Sequence, residues 1–180
     1  MERLRKILLY LLFLMPFFQG LYFYVEIFIA MVLICLLLLL SAYVQKGLWI
    51  EMSFTTFFLG GLFILYFLTC FYGIDLGMSL IGAMKMLLYF MFYLLYTQLY
   101  TQDYKEKVIA IVIYSCVAAA VFGILSLFIP VLSEHLIQKE RLGGIFQYAN
   151  TYGLYCIIGL VLIIRQKEKS FFEIWAMVLI

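Results

Sequence analysis

The chain has 180 residues and a formal net charge of only +2, with 68% hydrophobic and 12% charged residues. Soluble domains contain about 45–50% apolar and about 25% charged residues, so the composition excludes an ordinary water-soluble domain. With about 25 residues for each span and its hinge, we expect an all-α polytopic transmembrane helix bundle. It would have six full spans plus the start of a seventh, in a single transmembrane domain over residues 1–180.

The first apolar run, Ile7–Val44, is too long for one crossing of a membrane. As a single helix it would be about 57 Å long, nearly twice the roughly 30 Å of hydrocarbon. The best place for a turn is Gln19-Gly20. The sequence therefore predicts a first span over Leu4–Phe18 and a second over Leu21–Val44.

Two later runs contain no charged residue. Met52–Tyr72 and Val108–Ile129 each exceed the roughly 20 residues that a helical span needs, and they predict the third and fifth spans. Ser79–Tyr100 predicts the fourth, although it contains Lys85. Pro130 is expected to end the fifth span, because proline cannot continue the helical hydrogen-bond ladder.

The last third of the chain contains a polar outer loop, a sixth span and a basic hinge. The loop is expected over Val131–Tyr148 and the sixth span over Asn150–Ile164. A seventh span would begin at Phe171 and stop at Ile180, which predicts the N-terminal part of a longer membrane protein, or a truncated gene product. At the N-terminus a retained first helix is expected, because a cleavage site with small residues is missing.

The lysines and arginines predict the orientation of the spans. If the N-terminus is cytoplasmic, nine of them face inward and two outward, which fits the positive-inside rule. The nine are Arg3, Arg5, Lys6, Lys46, Lys105, Lys107, Arg165, Lys167 and Lys169, and the two are Lys139 and Arg141. The loop over Val131–Tyr148 is therefore expected on the outer face.

This outer loop holds the strongest candidate for a binding site. Arg141 is followed by Gly143-Gly144, where the backbone can approach a ligand closely, and Asn150 could cap the helix that follows. A guanidinium beside a helix N-terminus is suited to bind a phosphate group. The alternative is a solvated hinge whose arginine meets lipid head groups.

Five residues of this region fall at the offsets of a known signature. Arg141, Gly144, Phe146, Asn150 and Gly153 fit R-x-x-G-x-F-x-x-x-N-x-x-[AG]. The pattern resembles that of the O-antigen ligase and polymerase superfamily. The layout of spans, outer loop and basic hinge is also similar to that family.

The resemblance implies a membrane-embedded inverting glycosyltransferase at the outer face of the bacterial cytoplasmic membrane. Such an enzyme transfers glycan from an undecaprenyl-diphosphate carrier to an acceptor lipid or glycan, with no metal, cofactor or nucleic-acid partner. Arg141, Gly144 and Asn150 would bind the diphosphate. The family's acceptor-activating histidine belongs to a later outer loop, so the catalytic residues stay unknown, and we expect the 180-residue chain alone to be inactive. His135 precedes the signature and does not match that position.

Lys85 is a second candidate, because a charge inside a span usually faces the bundle interior or a wet cavity. It lies six residues after Ser79, near the expected outer end of the fourth span, so it could instead extend outward to the interface. Two alternatives to the enzyme therefore remain open. One is a transporter or flippase for a lipid-linked or anionic substrate, and the other is a non-catalytic membrane scaffold.

Overall fold

The computed structural model describes residues 1–138, 141–146, 148–166, 176–178 and 180. It confirms an all-α chain, to which one minimal hairpin is added. The elements, in chain order, are α1 (Glu2–Leu14), a 3-10 turn (Met15–Phe17), α2 (Tyr24–Gln45), α3 (Phe54–Tyr72), α4 (Leu76–Leu99), α5 (Gln102–Ser126), α6 (Pro130–Leu136), β1 (Ile137–Gln138), β2 (Arg141–Leu142) and α7 (Ala149–Arg165).

Four helices in the described part of the chain are long and apolar enough to cross a membrane, namely α2, α3, α4 and α5. α7 is apolar but has 17 residues, and α1 has 13. The expected membrane character is thus supported by four candidate spans, whereas the expected count of six is not shown. The predicted start of a seventh span at Phe171 lies outside the described residues.

The turn that divides the first apolar run is confirmed. Three consecutive residues, Gln19, Gly20 and Leu21, have positive φ angles of 49°, 66° and 59°. The left-handed conformation costs a residue with a Cβ roughly 1–2 kcal/mol, so Gln19 and Leu21 need support from their surroundings. α1 ends earlier than expected, because the 3-10 turn over Met15–Phe17 leads into this reversal.

Several helix ends differ from those predicted, because polar residues begin helices as well as separate them. α4 begins at Leu76 rather than Ser79, since the Asp75 carboxylate accepts the Met78 N–H at 3.1 Å and caps the first turn. α5 begins at Gln102, six residues before the predicted start. Its first turns contain acidic and basic residues, which form helices well and suit the aqueous end of a span.

The described part of the segment 131–148 contains regular elements, where a polar loop was predicted. Pro130 is the first residue of α6, where its fixed φ and missing N–H suit a helix start, and α5 has already ended at Ser126. α6 leads directly into β1, which pairs antiparallel with β2. The signature therefore begins within the hairpin, at Arg141 on β2, and continues into α7.

The chain divides into two compact units. The first unit comprises Met1–Arg5 and Phe23–Thr101, with α4 packed against both α2 and α3. α3 and α4 run antiparallel, since Gly60 lies against Phe90 while Gly82 lies against Tyr66.

α2 runs parallel to α4 within the first unit, because their last turns meet. The Gln45 amide at the end of α2 donates to the Gln98 carbonyl at 2.9 Å. α2 buries a single stripe with alternating spacings of three and four residues, formed by Ile27, Ala30, Ile34, Leu37 and Ser41. One apolar stripe at helical spacing is what a helix packed on one side requires. The alternating directions of α2, α3 and α4 agree with the predicted order of spans.

The second unit comprises Lys6–Tyr22 and Gln102–Ile180, and its centre is the packing of α5 against α7. Gly159 on α7 lets the helices approach closely, since a Cβ there would lie 2.7 Å from the Cβ of Cys116. Ile113, Val117 and Ile163 form part of the buried cluster beside this contact. α6 packs against α5 and β2 packs against α7, so the segment between α5 and α7 is attached to this helix pair.

Candidate functional site

The candidate site is the part of the second unit that carries the signature residues. In the hairpin, Gln138 on β1 is opposite Arg141 on β2. Beyond it, the N–H groups of Gly143 and Gly144 both donate to the Leu136 carbonyl, at 2.9 and 3.1 Å. These bonds hold the backbone of the segment that joins Arg141 to α7. The positions of Lys139 and Glu140, also predicted for this loop, lie outside the described residues.

Gly144 is buried and has a φ of +57°. The ring of Tyr152, on the first turns of α7, covers it so closely that a Cβ would lie 2.5 Å from two ring atoms. The Tyr152 hydroxyl donates to the Ala119 carbonyl on α5 at 3.4 Å. The structure therefore gives Gly144 a backbone and packing role, and its predicted contact with a diphosphate stays a prediction.

Phe146 is buried and joins the loop to two other segments of the second unit. Its ring lies against Tyr155 of α7, with centroids 5.0 Å apart. It also covers the left-handed turn, since a Cβ on Gly20 would lie 2.5 Å from the Phe146 ring. The strained turn is thus supported by a residue of the signature.

Arg141 is exposed, and its guanidinium makes no hydrogen bond or ion pair with any described residue. Its backbone is nevertheless fixed by the hairpin, and β2 packs against α7. A guanidinium presents five N–H donors in a rigid fork that fits phosphate oxygens. The fold therefore fixes the backbone of Arg141, and its exposed guanidinium is accessible to an anion that is not part of the protein.

Asn150 does not cap α7, so that expectation was wrong. The helix begins at Ala149, its N-cap residue is Tyr148, and no side chain caps it. Tyr148 enters the helix in an extended conformation, which places Asn150 inside the first turn with its side chain exposed. Among the described residues, the first N–H groups of α7 thus have no side-chain acceptor, and such groups attract anions.

The observed start of α7 leads to a prediction for the stability of Asn150→Ala. Loss of a true N-cap costs typically about 1 kcal/mol, whereas an exposed helical position costs less than about 0.5 kcal/mol. We expect the free energy of unfolding of the variant, measured by urea titration in detergent, to lie within about 0.5 kcal/mol of the wild-type value. As a matched comparison, Asp75→Ala removes a cap that the structure does show and should cost about 1 kcal/mol. Equal losses for the two variants would contradict the assigned helix start.

Sequence reasoning missed the contact between Tyr22 and Tyr148. Their hydroxyls lie 3.1 Å apart, and their rings meet edge to face with centroids 5.5 Å apart. The hydrogen bond to Tyr148 raises the pKa of Tyr22 above its ordinary value. Because 126 residues separate the two, no local pattern indicates the pair.

A polar chain inside the second unit was also missed. The Tyr155 hydroxyl donates to Ser115 at 2.9 Å, and Ser115 donates to the Phe13 carbonyl at 3.0 Å. The Cys116 thiol donates to the Tyr155 carbonyl at 3.5 Å. These bonds join α1, α5 and α7 where apolar packing alone was expected, and they satisfy the side chains buried there.

Lys85 lies deeper in its helix than expected, and in the first unit rather than the second. Because α4 begins at Leu76, nine residues precede Lys85 in the helix. That corresponds to about 13.5 Å along the axis, close to the middle of a 30 Å hydrocarbon layer. The side chain is half-buried. Its predicted role at a polar cavity stays a prediction.

Within the described residues, no group of three or more His, Cys, Asp or Glu side chains could hold a metal ion. The candidate site consists of the exposed Arg141, on a strand that packs against α7, and the first turn of α7. No protein-family model, curated protein or solved structure matches the chain.

Proposed function

We propose that the protein acts as a glycosyltransferase of the O-antigen ligase and polymerase type. It would transfer glycan from an undecaprenyl-diphosphate carrier to an acceptor lipid or glycan, at the outer face of the bacterial cytoplasmic membrane. The observation that carries this proposal is the exposed Arg141 guanidinium on a backbone held by the hairpin and the Gly144–Tyr152 contact. The functional roles of Arg141, Gly144 and Asn150 rest on the resemblance of their spacing to the family signature.

The chemistry of the site favours a diphosphate as its ligand. Arg141 supplies a positive charge and a bidentate fork, and the start of α7 supplies N–H groups that no described side chain accepts from. Catalysis by such a site would stabilise the negative charge that develops on a departing diphosphate. A diphosphate at the level of the lipid head groups would need no metal to bind there.

We also propose the full predicted layout of six spans and the start of a seventh, with the N-terminus in the cytoplasm. α7 measures about 25 Å and lies at the lower limit for a span. α1 is shorter, but the basic side chains at its start can extend to the interface. The nine-to-two distribution of lysines and arginines supports the orientation.

The orientation predicts which positions can be labelled from outside the cell. In a variant without the four native cysteines, Gln138→Cys should react with a membrane-impermeant maleimide on intact cells. Lys46→Cys, at the end of α2, should react only after permeabilisation. Labelling of position 138 only in permeabilised cells would overturn the proposed topology.

The depth of Lys85 in α4 supports transport of an anionic or lipid-linked substrate as a second candidate function. One experiment separates the two functions. Membranes containing the natural gene product are supplied with a labelled undecaprenyl-diphosphate oligosaccharide and an acceptor glycan. A transferase releases undecaprenyl diphosphate and labels the acceptor. A transporter moves the intact donor between leaflets of proteoliposomes, and that result without transfer would refute the first proposal.

A further inference from the structure

An open groove of about 580 Å³ lies in the first unit, beside the C-terminal end of α2. Its lining is apolar apart from two charged residues of the N-terminal segment. The lining residues are Met1, Glu2, Arg3, Leu4, Leu40 and Val44. Its volume falls within the roughly 300–1,000 Å³ of small-molecule sites in proteins.

The N-terminal wall of the groove is held in place by contacts to α2 and α4. The Gln45 amide contacts the Met1 sulfur at 3.9 Å, and the Arg5 guanidinium donates to the Leu99 carbonyl at 2.9 Å. Leu4 is 9% exposed, so it anchors the segment between these bonds. The groove is therefore a fixed feature of this unit.

The two charged residues on the rim differ from Arg5, which is already bonded. Arg3 and Glu2 are both exposed, and neither side chain is paired with another described residue. Lys46 follows α2 immediately but is not one of the residues that line the groove. Arg3 is the only guanidinium among the lining residues, and its fork of N–H donors fits the oxygens of a phosphate group.

The opposite wall belongs to a helix long and apolar enough to cross a membrane. Leu40 and Val44 lie in its last turns and are about half exposed, at 50% and 52%. A water-soluble anion would gain nothing from these side chains, whereas a phospholipid has both a phosphate and an acyl chain. Arg3 suits the phosphate of a lipid, and Leu40 and Val44 suit its acyl chain, so one phospholipid could contact both walls.

We propose that the groove binds a phospholipid of the surrounding membrane. Arg3 holds the phosphodiester, and the first part of an acyl chain lies along Leu40 and Val44. The site lies at the end of α2 where the chain also begins, and it involves none of the signature residues. The proposal is therefore independent of the proposed transferase activity.

Native mass spectrometry of the purified protein tests the site, with phosphatidylglycerol as the probe. Arg3→Gln should lower lipid retention about tenfold, which is the size of effect expected when a charged hydrogen bond is lost. Leu40→Trp should lower it too, by filling the groove. Lys46→Gln removes a charge at the same end without altering the lining, and should retain lipid normally. Circular dichroism of each variant verifies that it has folded.

Three outcomes would overturn the proposal. If Lys46→Gln lowers lipid retention as much as Arg3→Gln does, the lipid is attracted to the positive charge of this end of the protein and not to the groove. Unchanged retention by folded Arg3→Gln would remove the phosphodiester contact. Displacement of the lipid by inorganic phosphate, with tight phosphate binding of its own, would show a site for free phosphate instead.

Discussion

In the natural gene product, replacing Arg141 with alanine is expected to lower glycan transfer by about a hundredfold, the loss typical when one donor to a developing anion is removed. The side chain is exposed and makes no bond within the described part of the chain, so its loss leaves the fold intact. Arg141→Lys should lose most activity as well, because an ammonium cannot reproduce the bidentate fork. Transfer is measured on membranes with a lipid-linked oligosaccharide donor, and expression by immunoblot.

Two control variants test whether the effect is specific to position 141 or follows from the loss of any positive charge. Arg165→Ala removes an exposed arginine from the other end of α7, and Lys139→Ala removes the neighbouring loop cation. Both should reduce transfer only mildly, because neither residue is part of the signature. Near-normal transfer by Arg141→Ala, or an equal loss in the controls, would remove the site assignment.

Gly144→Ala is expected to destabilise the second unit by several kcal/mol. A Cβ there requires a left-handed backbone, which costs roughly 1–2 kcal/mol, and it overlaps the Tyr152 ring, which adds roughly 1–3 kcal/mol. The expected result is a large fall in the midpoint of urea unfolding, together with poor recovery of folded protein from membranes. Transfer should fall in proportion to the folded fraction.

Gly153→Ala is the matched control, because Gly153 is also a glycine of the signature and lies on α7. A Cβ at that position meets nothing within 4 Å, and alanine forms helix better than glycine. We expect this variant to be as stable as the wild type or slightly more stable. Tyr152→Ala should partly rescue Gly144→Ala, because it removes the overlap and leaves only the backbone strain. Equal stability of Gly144→Ala and Gly153→Ala would show that the Gly144–Tyr152 contact is wrong.

The sequence predicted an all-α chain with membrane-type helices, because charge-free runs and the length limit of a span are strong constraints, whereas four of the six predicted spans are shown as candidates. The length of Ile7–Val44 required a turn, the residue types at Gln19-Gly20 indicated where, and the structure confirms the turn. Helix ends were less accurate, since charged residues were read as hinges. In α5 they belong to the helix itself, which extends back to Gln102.

The sequence indicated candidate site residues but not their surroundings. The spacing of the signature singled out Arg141, which the structure shows to be exposed, and its ligand-binding role stays a prediction. The contacts that hold the loop could not be predicted from the sequence. Tyr152 contacts Ala119 and Phe146 contacts Gly20, and each pair is far apart along the chain. Asn150 was misassigned as a cap because residue type alone does not reveal where the extended segment ends.

The contact between Phe146 and Gly20 also has a consequence for biogenesis. The ribosome adds about 5–20 residues each second, so the 126 residues between these positions take roughly 6–25 s to synthesise. During that interval the turn lacks the Phe146 ring that covers it. The turn after α1 is therefore completed by a residue made much later, and substitutions at Phe146 should destabilise this turn near the opposite end of the chain.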